Sequence, residues 1–260
     1  MKKLYYLLLS IGTFVLCLWM ASCSPPPSQL ISLNVGAAGM VRGSLEEIND
    51  IYQKEKPNVV VNYTFAGGGT LQSAIKRGEP FDLLLLAAVG PMDKLQADGL
   101  IVPESRRNLV TTDVVLIVPA TSKLSINDFK DLTSERVQKI AIGTSRTAIG
   151  NYSKEILTNL GIYKQVQPKA VWANLDVREV LRAVENNEVD AGITFLPEAK
   201  LSSAVKVAAV ASADSYRSIT AVGAILKRST EIPEASAFLN FLTSPQAVAV
   251  FEHYGIKLLR

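Results

Sequence analysis

Three consecutive glycines, Gly67-Gly68-Gly69, stand between a β-branched run and a helical one, and they are where this chain is best equipped to do chemistry. The run before them, Asn58 to Phe65, is rich in valine, tyrosine, threonine and phenylalanine and favours a strand. The run after them, Thr70 to Lys76, places Leu71, Ala74 and Ile75 at helical spacing. A strand, a glycine loop and a helix N-terminus in that order present backbone N–H groups and the positive end of a helix, and the chemistry they support is the holding of an anion. The same residues also make a tight strand-to-helix turn that binds nothing. A glycine loop without a fuller motif does not choose between the two.

Other constellations offer little. The chain has one histidine, His253, in its last predicted helix and far from the loops, so a hydrolase of the serine type lacks its base, and His253 reads as a surface residue. Glu46-Glu47, and Glu185 with Asp190, read as solvated carboxylates on helix faces or beside a strand start. No enzyme activity is expected. One histidine and no usable cysteine argue against a structural metal site, and no cofactor is expected. There is no block of lysine or arginine and no RNA-binding signature, so nucleic acid is not an expected partner.

The N-terminus places the chain outside the cytoplasm. Lys2 and Lys3 precede an apolar run from Leu4 to Met20, followed by Ala21-Ser22-Cys23, and residues 1–22 read as an export signal. The run is at the short limit for a membrane span and is followed at once by prolines. Without those two lysines the chain carries 25 basic against 24 acidic residues, so no basic face is implied. Cys17 lies inside the apolar run and Cys23 at its end, which leaves the body without an internal disulfide. Residues 23–29, with Pro25-Pro26-Pro27, read as an extended tether.

The elements that must position the glycine loop alternate strand and helix, and the apolar fraction of 48% is ample for a packed core. Leu30 to Val35 reads as a strand, Gly36 to Met40 as a small-residue loop, and Ser44 onward as a helix with Leu45, Ile48, Ile51 and Tyr52 on its inner face. The glycine-loop unit follows, then the unbroken apolar strand Asp82 to Ala87, which implies cover on both faces and a parallel sheet. A short helix from Pro91 to Ala97 comes next. Val114 to Pro119 opens a second series: a helix near Ile126 to Leu132, the strand Lys139 to Ile142, a loop Gly143 to Gly150, and a helix Tyr152 to Leu160. Asp176 is the expected N-cap of a helix Val177 to Asn186. Ala191 to Phe195, Val205 to Val210 and Ser218 to Leu226 are further strands, and Pro233 to Leu242 and Pro245 to Tyr254 are the last helices. Two successive series predict two α/β lobes, residues 30–112 with 218–260 and residues 113–217. The chain crosses near Thr111 to Val114 and again near Tyr216 to Thr220. The cleft of such a body lies outside the carboxyl ends of strands.

Several segments together carry a family resemblance: Val35-Gly36-Ala37-Ala38, Thr64-Phe65-Ala66 through Thr70-Leu71, Phe81-Asp82-Leu83, Val114 to Pro119, Gly150 to Glu155, Asp176-Val177-Arg178, Asp190 to Ile193, and Phe241 to Ala247 with Phe251 and Tyr254-Gly255. From Leu30 to Leu259 the chain resembles the periplasmic molybdate-binding proteins of ABC importers, which are type II substrate-binding proteins. The resemblance implies a two-lobed type II periplasmic-binding-protein fold, each lobe a mixed, mainly parallel sheet flanked by helices, with the ligand between lobes. It implies a monomer that delivers a small oxyanion, molybdate or tungstate, to ABC permease and ATPase subunits. Met20-Ala21-Ser22-Cys23 resembles the lipoprotein box, which makes Cys23 the lipid anchor of an exported protein facing the periplasm or the cell exterior. A tethered sensor with the same soluble body is the alternative to an importer subunit.

Carried over by position, the family's ligand contacts fall at Met40, Gly68, Ile149, Val177 and Phe195, with Gly39, Gly69 and Thr70 beside them. The family usually has serine at the first two of these positions and tyrosine at the last, so three hydroxyls are missing here. Backbone amides remain, since every residue but proline keeps its N–H. A hydrogen bond to a charged group contributes roughly 1.5–3 kcal/mol, so the loss is large unless neighbours replace it or the ligand is a different anion or organic molecule. Candidate replacements are Thr70, Ser145, Thr147, Asn151 and Thr194, with Arg42 and Arg146 as sources of charge.

Overall fold

The computed structural model describes residues 30–174 and 177–259. The expected signal segment, Cys23, the tether and the Asp176 cap lie outside the described residues. In chain order the strands are β1 (Ile31–Ala37), β2 (Val59–Phe65), β3 (Leu83–Leu86), β4 (Arg107–Thr111), β5 (Val114–Pro119), β6 (Ile140–Gly143), β7 (Ala170–Ala173), β8 (Ala191–Phe195), β9 (Val205–Val210), β10 (Ala221–Ile225) and β11 (Lys257–Leu258). The α-helices are α1 (Arg42–Glu55), α2 (Gly68–Lys76), α3 (Val89–Ala97), α4 (Ala148–Asn159), α5 (Tyr163–Val166), α6 (Val177–Glu185), α7 (Leu196–Ala199), α8 (Ile232–Phe241) and α9 (Pro245–His253).

The strands form two mixed sheets, ordered β11-β4-β10-β3-β1-β2 and β7-β6-β8-β5-β9. Each sheet has a parallel half, β3-β1-β2 in the first and β7-β6-β8 in the second. The remaining pairings are antiparallel. The parallel halves have the strand-loop-helix connections, so both sets of loops emerge at carboxyl ends of strands. β3 and β5 are buried along their whole length, as unbroken apolar runs require when helices cover both faces. On one face of the first sheet Leu71, Ile75, Met92 and Leu95 of α2 and α3 pack on Leu84, Leu86 and Val222. On one face of the second sheet Val180, Leu181 and Val184 of α6 pack on Val115, Ile117 and Ala141. Each such fully buried side chain contributes about 1.5–3 kcal/mol. A third, larger cluster contains residues of both sheets, including Leu33, Met40, Val114, Ile149 and Phe195.

The two crossings between sheets are pinned to each other. The Val114 N–H donates to the Tyr216 hydroxyl at 3.4 Å, and Ala211 N–H donates to the Val114 carbonyl at 2.9 Å. The Thr112 hydroxyl donates to the Gly255 carbonyl at 3.0 Å, which ties the first crossing to the end of α9.

Several elements differ from the sequence reading. The helix expected over Ile126 to Leu132 is a 3-10 turn, Phe129–Thr133, because Asp128 and Asp131 close a reciprocal capping box around it. The helix expected from Tyr152 starts at Ala148, where the Thr147 hydroxyl accepts from the Gly150 N–H at 3.1 Å. The small-residue loop after β1 contains a 3-10 turn, Gly39–Val41. The strand expected from Ser218 starts at Ala221, and β4, β7 and β11 were not legible. β7 is an edge strand with Val171 and Trp172 exposed, and β11 has two residues, so neither displays a buried alternation.

Candidate anion-binding cleft

Between the two sheets lies a cleft of ≈ 870 Å³. Its first wall is made by the ends of β1, β2 and β3. After β1 the chain turns through Gly39–Val41 into α1, and the turn is held because the Ala38 N–H donates to the Leu85 carbonyl at 2.8 Å. After β2 the loop shortens to Ala66-Gly67: Gly67 is the N-cap of α2 and Gly68 its first residue. A glycine N-cap has no side chain to offer, so the amides of Gly68, Gly69 and Thr70 have neither an intrahelical partner nor a capping oxygen. After β3 the Ala88-Val89-Gly90-Pro91 segment completes this wall.

The second wall comes from α4, α6 and β8. In α4 the Thr147 cap takes the Gly150 amide, which leaves those of Ala148 and Ile149 without an intrahelical carbonyl. Val177 opens α6, and Phe195 ends β8. The helix ends of both walls thus turn partial positive charge to the same space.

All eight predicted positions, Gly39, Met40, Gly68, Gly69, Thr70, Ile149, Val177 and Phe195, line this cleft. Met40, Ile149, Val177 and Phe195 are also buried, so their side chains are packed walls, and none of the four offers a hydroxyl. The walls touch: a β-carbon on Gly39 would stand 3.0 Å from Val177 Cγ1, and one on Gly69 would stand 3.9 Å from the Arg146 carbonyl oxygen.

The expected replacements for the missing hydroxyls divide. Thr70, Ser145, Thr147, Asn151 and Arg146 lie on the cleft. Two of them are engaged by the protein itself: the Thr147 hydroxyl donates to the Thr144 carbonyl at 2.9 Å, and Asn151 Nδ2 donates to the Ser145 and Thr147 carbonyls at 3.1 and 3.0 Å. Thr194 is fully buried and outside the lining, because alternation along β8 turns it away from the face that carries Phe195. Arg42 is also outside it, with its guanidinium 4.1 Å from the centre of the Phe65 ring.

Sequence reasoning missed Arg217, Ser218, Asn174 and Asp93 on the lining, and gave Tyr152 no place in the site. Arg217 and Ser218 lie on the return crossing, where no local pattern signals a ligand. The Arg217 N–H donates to Glu155 Oε1 at 2.8 Å and its guanidinium stands 5.4 Å from the centre of the Tyr152 ring. Tyr152 in turn meets Phe195 edge-on at 6.0 Å. Burial raises the Tyr152 pKa, and Arg217 opposes that rise.

The family model for bacterial extracellular solute-binding proteins matches residues 33–257. The chain belongs to this family. It is 33% identical over 260 residues, covering 98% of both chains, to YvgL of Bacillus subtilis (strain 168), a protein named as an ABC transporter substrate-binding lipoprotein. It is 30% identical over 229 residues to the molybdate-binding protein ModA of Haemophilus influenzae, covering 86% of this chain and 89% of ModA. Its fold matches that of the periplasmic molybdate-binding protein of Azotobacter vinelandii with a TM-score of 0.80 at 24% identity, over 88% of this chain and all of that one. A more distant relative, 26% identical over 236 residues and 87% of each chain, is named an aconitate isomerase, from a Pseudomonas species. In this family member the described residues contain no helix long and apolar enough to cross a membrane.

Proposed function

We propose that the protein is the extracytoplasmic solute-binding component of an ABC importer, that it binds a tetrahedral oxyanion in the interlobe cleft, and that molybdate or tungstate is the leading ligand. The observation that carries this reading is the convergence on one cleft of Met40 and Gly68 from one wall with Ile149 and Val177 from the other, the Gly68 and Ile149 amides standing in first helical turns without an intrahelical carbonyl. The relatives named for molybdate support the choice of ion. On this reading the protein is not an enzyme: an anion enters the open cleft, the lobes 30–112 with 218–260 and 113–217 close on it, and the closed form is what the permease and ATPase subunits recognise. Cys23 is the lipid anchor, residues 1–22 the signal, residues 23–29 the tether, and the working state is a monomer.

A second reading, a different anion or a small organic acid, is favoured by one specific observation. The side chains at Met40, Gly68 and Phe195 carry no hydroxyl, and the cleft is roomy at ≈ 870 Å³. A calorimetric panel of molybdate, tungstate, sulfate, phosphate and small organic anions, with aconitate included and its isomerisation followed, separates the readings. Micromolar or tighter binding of molybdate or tungstate is the expected result. No heat from either, with saturable binding of another anion, overturns the choice of ligand, and turnover of aconitate overturns the non-catalytic reading.

A further inference from the structure

The described cleft lining carries two full positive charges, Arg146 and Arg217, and one acid, Asp93, which is ion-paired to Arg106 beyond the lining. The amide donors carry only partial charge, so the two arginines are the full positive charges on the described lining. Of the two, Arg217 is fixed against the binding helix. Its backbone is tied to Glu155 of α4, its guanidinium lies over Tyr152 of the same helix, and Tyr152 abuts Phe195 of the cleft wall. Its side chain is 64% exposed and its Nε is 3.8 Å from Glu155 Oε2, a long pairing that is weak in solvent.

We propose that Arg217 is a specificity-determining residue that reads ligand charge, favouring dianions over monoanions of the same shape, with Glu155 as the neighbouring acid that tempers its pull. The inference rests on the oxyanion reading above. Coulomb energy scales with the charge of the ligand, so whatever the distance, removing the Arg217 charge costs a dianion twice the free energy it costs a monoanion. A loss of about tenfold for the dianion therefore accompanies a loss of about threefold for the monoanion.

The test titrates the full chain by calorimetry with tungstate and with perrhenate, tetrahedral oxyanions of charge −2 and −1, at low and high salt. R217Q weakens tungstate by about tenfold and perrhenate by about threefold and flattens the salt dependence for tungstate, while R217K retains most of the discrimination. E155Q keeps the oxygen that accepts the Arg217 N–H but removes the competing charge, and tightens tungstate more than perrhenate. Equal losses for both ions, no loss in R217Q, or weaker tungstate binding in E155Q overturns the charge-reading role. If the wild-type protein binds neither ion, the choice of molybdate or tungstate falls and this inference with it. Wild-type binding with an unchanged R217Q removes this inference alone.

Discussion

Gly39 and Val177 meet across the cleft: a β-carbon on Gly39 would stand 3.0 Å from Val177 Cγ1. One belongs to the turn after β1 and the other to the first residue of α6, so the absence of a side chain at position 39 sets how closely the two walls approach. A Gly39→Ala substitution must push Val177 aside by a few tenths of an ångström and part the amides on either side of it. The expected outcome is weaker anion binding, by about tenfold, with a thermal midpoint close to that of the wild type. Val177→Ala in the same chain restores the space, so a double-mutant cycle of affinities shows positive coupling. Additive losses would argue that the walls are set elsewhere.

Gly68 offers a gain. A β-carbon there would stand 3.6 Å from Pro91 Cγ, an ordinary contact, and the position is the first of α2, where serine is tolerated. Gly68→Ser adds a hydroxyl at the cleft without displacing anything. Tighter binding of molybdate or tungstate by about tenfold or more is expected in calorimetry. Met40→Ser differs because Met40 is buried, and emptying that site costs about 2–5 kcal/mol of stability, read as a lower urea midpoint.

Gly150 is a folding requirement. A β-carbon would overlap the carbonyl oxygens of Gly143 and Thr144, which are backbone atoms of the turn that α4 grows from. Gly150→Ala should lose more than about 3 kcal/mol by urea unfolding, or fail to accumulate as soluble protein. Wild-type stability in this variant would show that the turn can rearrange.

Alkaline pH should lower stability. Burial first, and then Glu46, raise the Tyr63 pKa above the usual tyrosine value of 10.0. A raised folded-state pKa means that the stabilisation is complete below pH 10 and is lost as pH rises through the folded value, because only the unfolded chain then ionises. Stability should be flat in this respect up to about pH 10 and fall by up to about 1.4 kcal/mol per unit above it. Tyr63→Phe should reduce that slope in urea titrations at pH 10 to 11.5, and an unchanged slope would assign the loss to other groups.

Much of the fold was legible because its core elements are patterned locally. The unbroken run at β3, the helical spacing of Leu45, Ile48 and Tyr52, and the strand-glycine-helix passage at Phe65 to Leu71 each state their own structure. What failed was short or peripheral: β7 and β11 have too little burial to impose alternation, and the Asp128 cap closed a 3-10 turn where apolar spacing alone predicted a helix.

The site divides in the same way. The sequence by itself determined the glycine loop and the helix that follows it, because those depend on neighbours in the chain, and the eight positions carried over from the family resemblance all fall on one cleft. Only the tertiary structure decided which side chains share that space. Arg217 arrives on the return crossing, Arg42 is drawn over Phe65, and Thr194 is turned away by the alternation of β8. Charge and hydroxyls act through space, and their distance from a ligand is set by packing between elements that are remote in sequence.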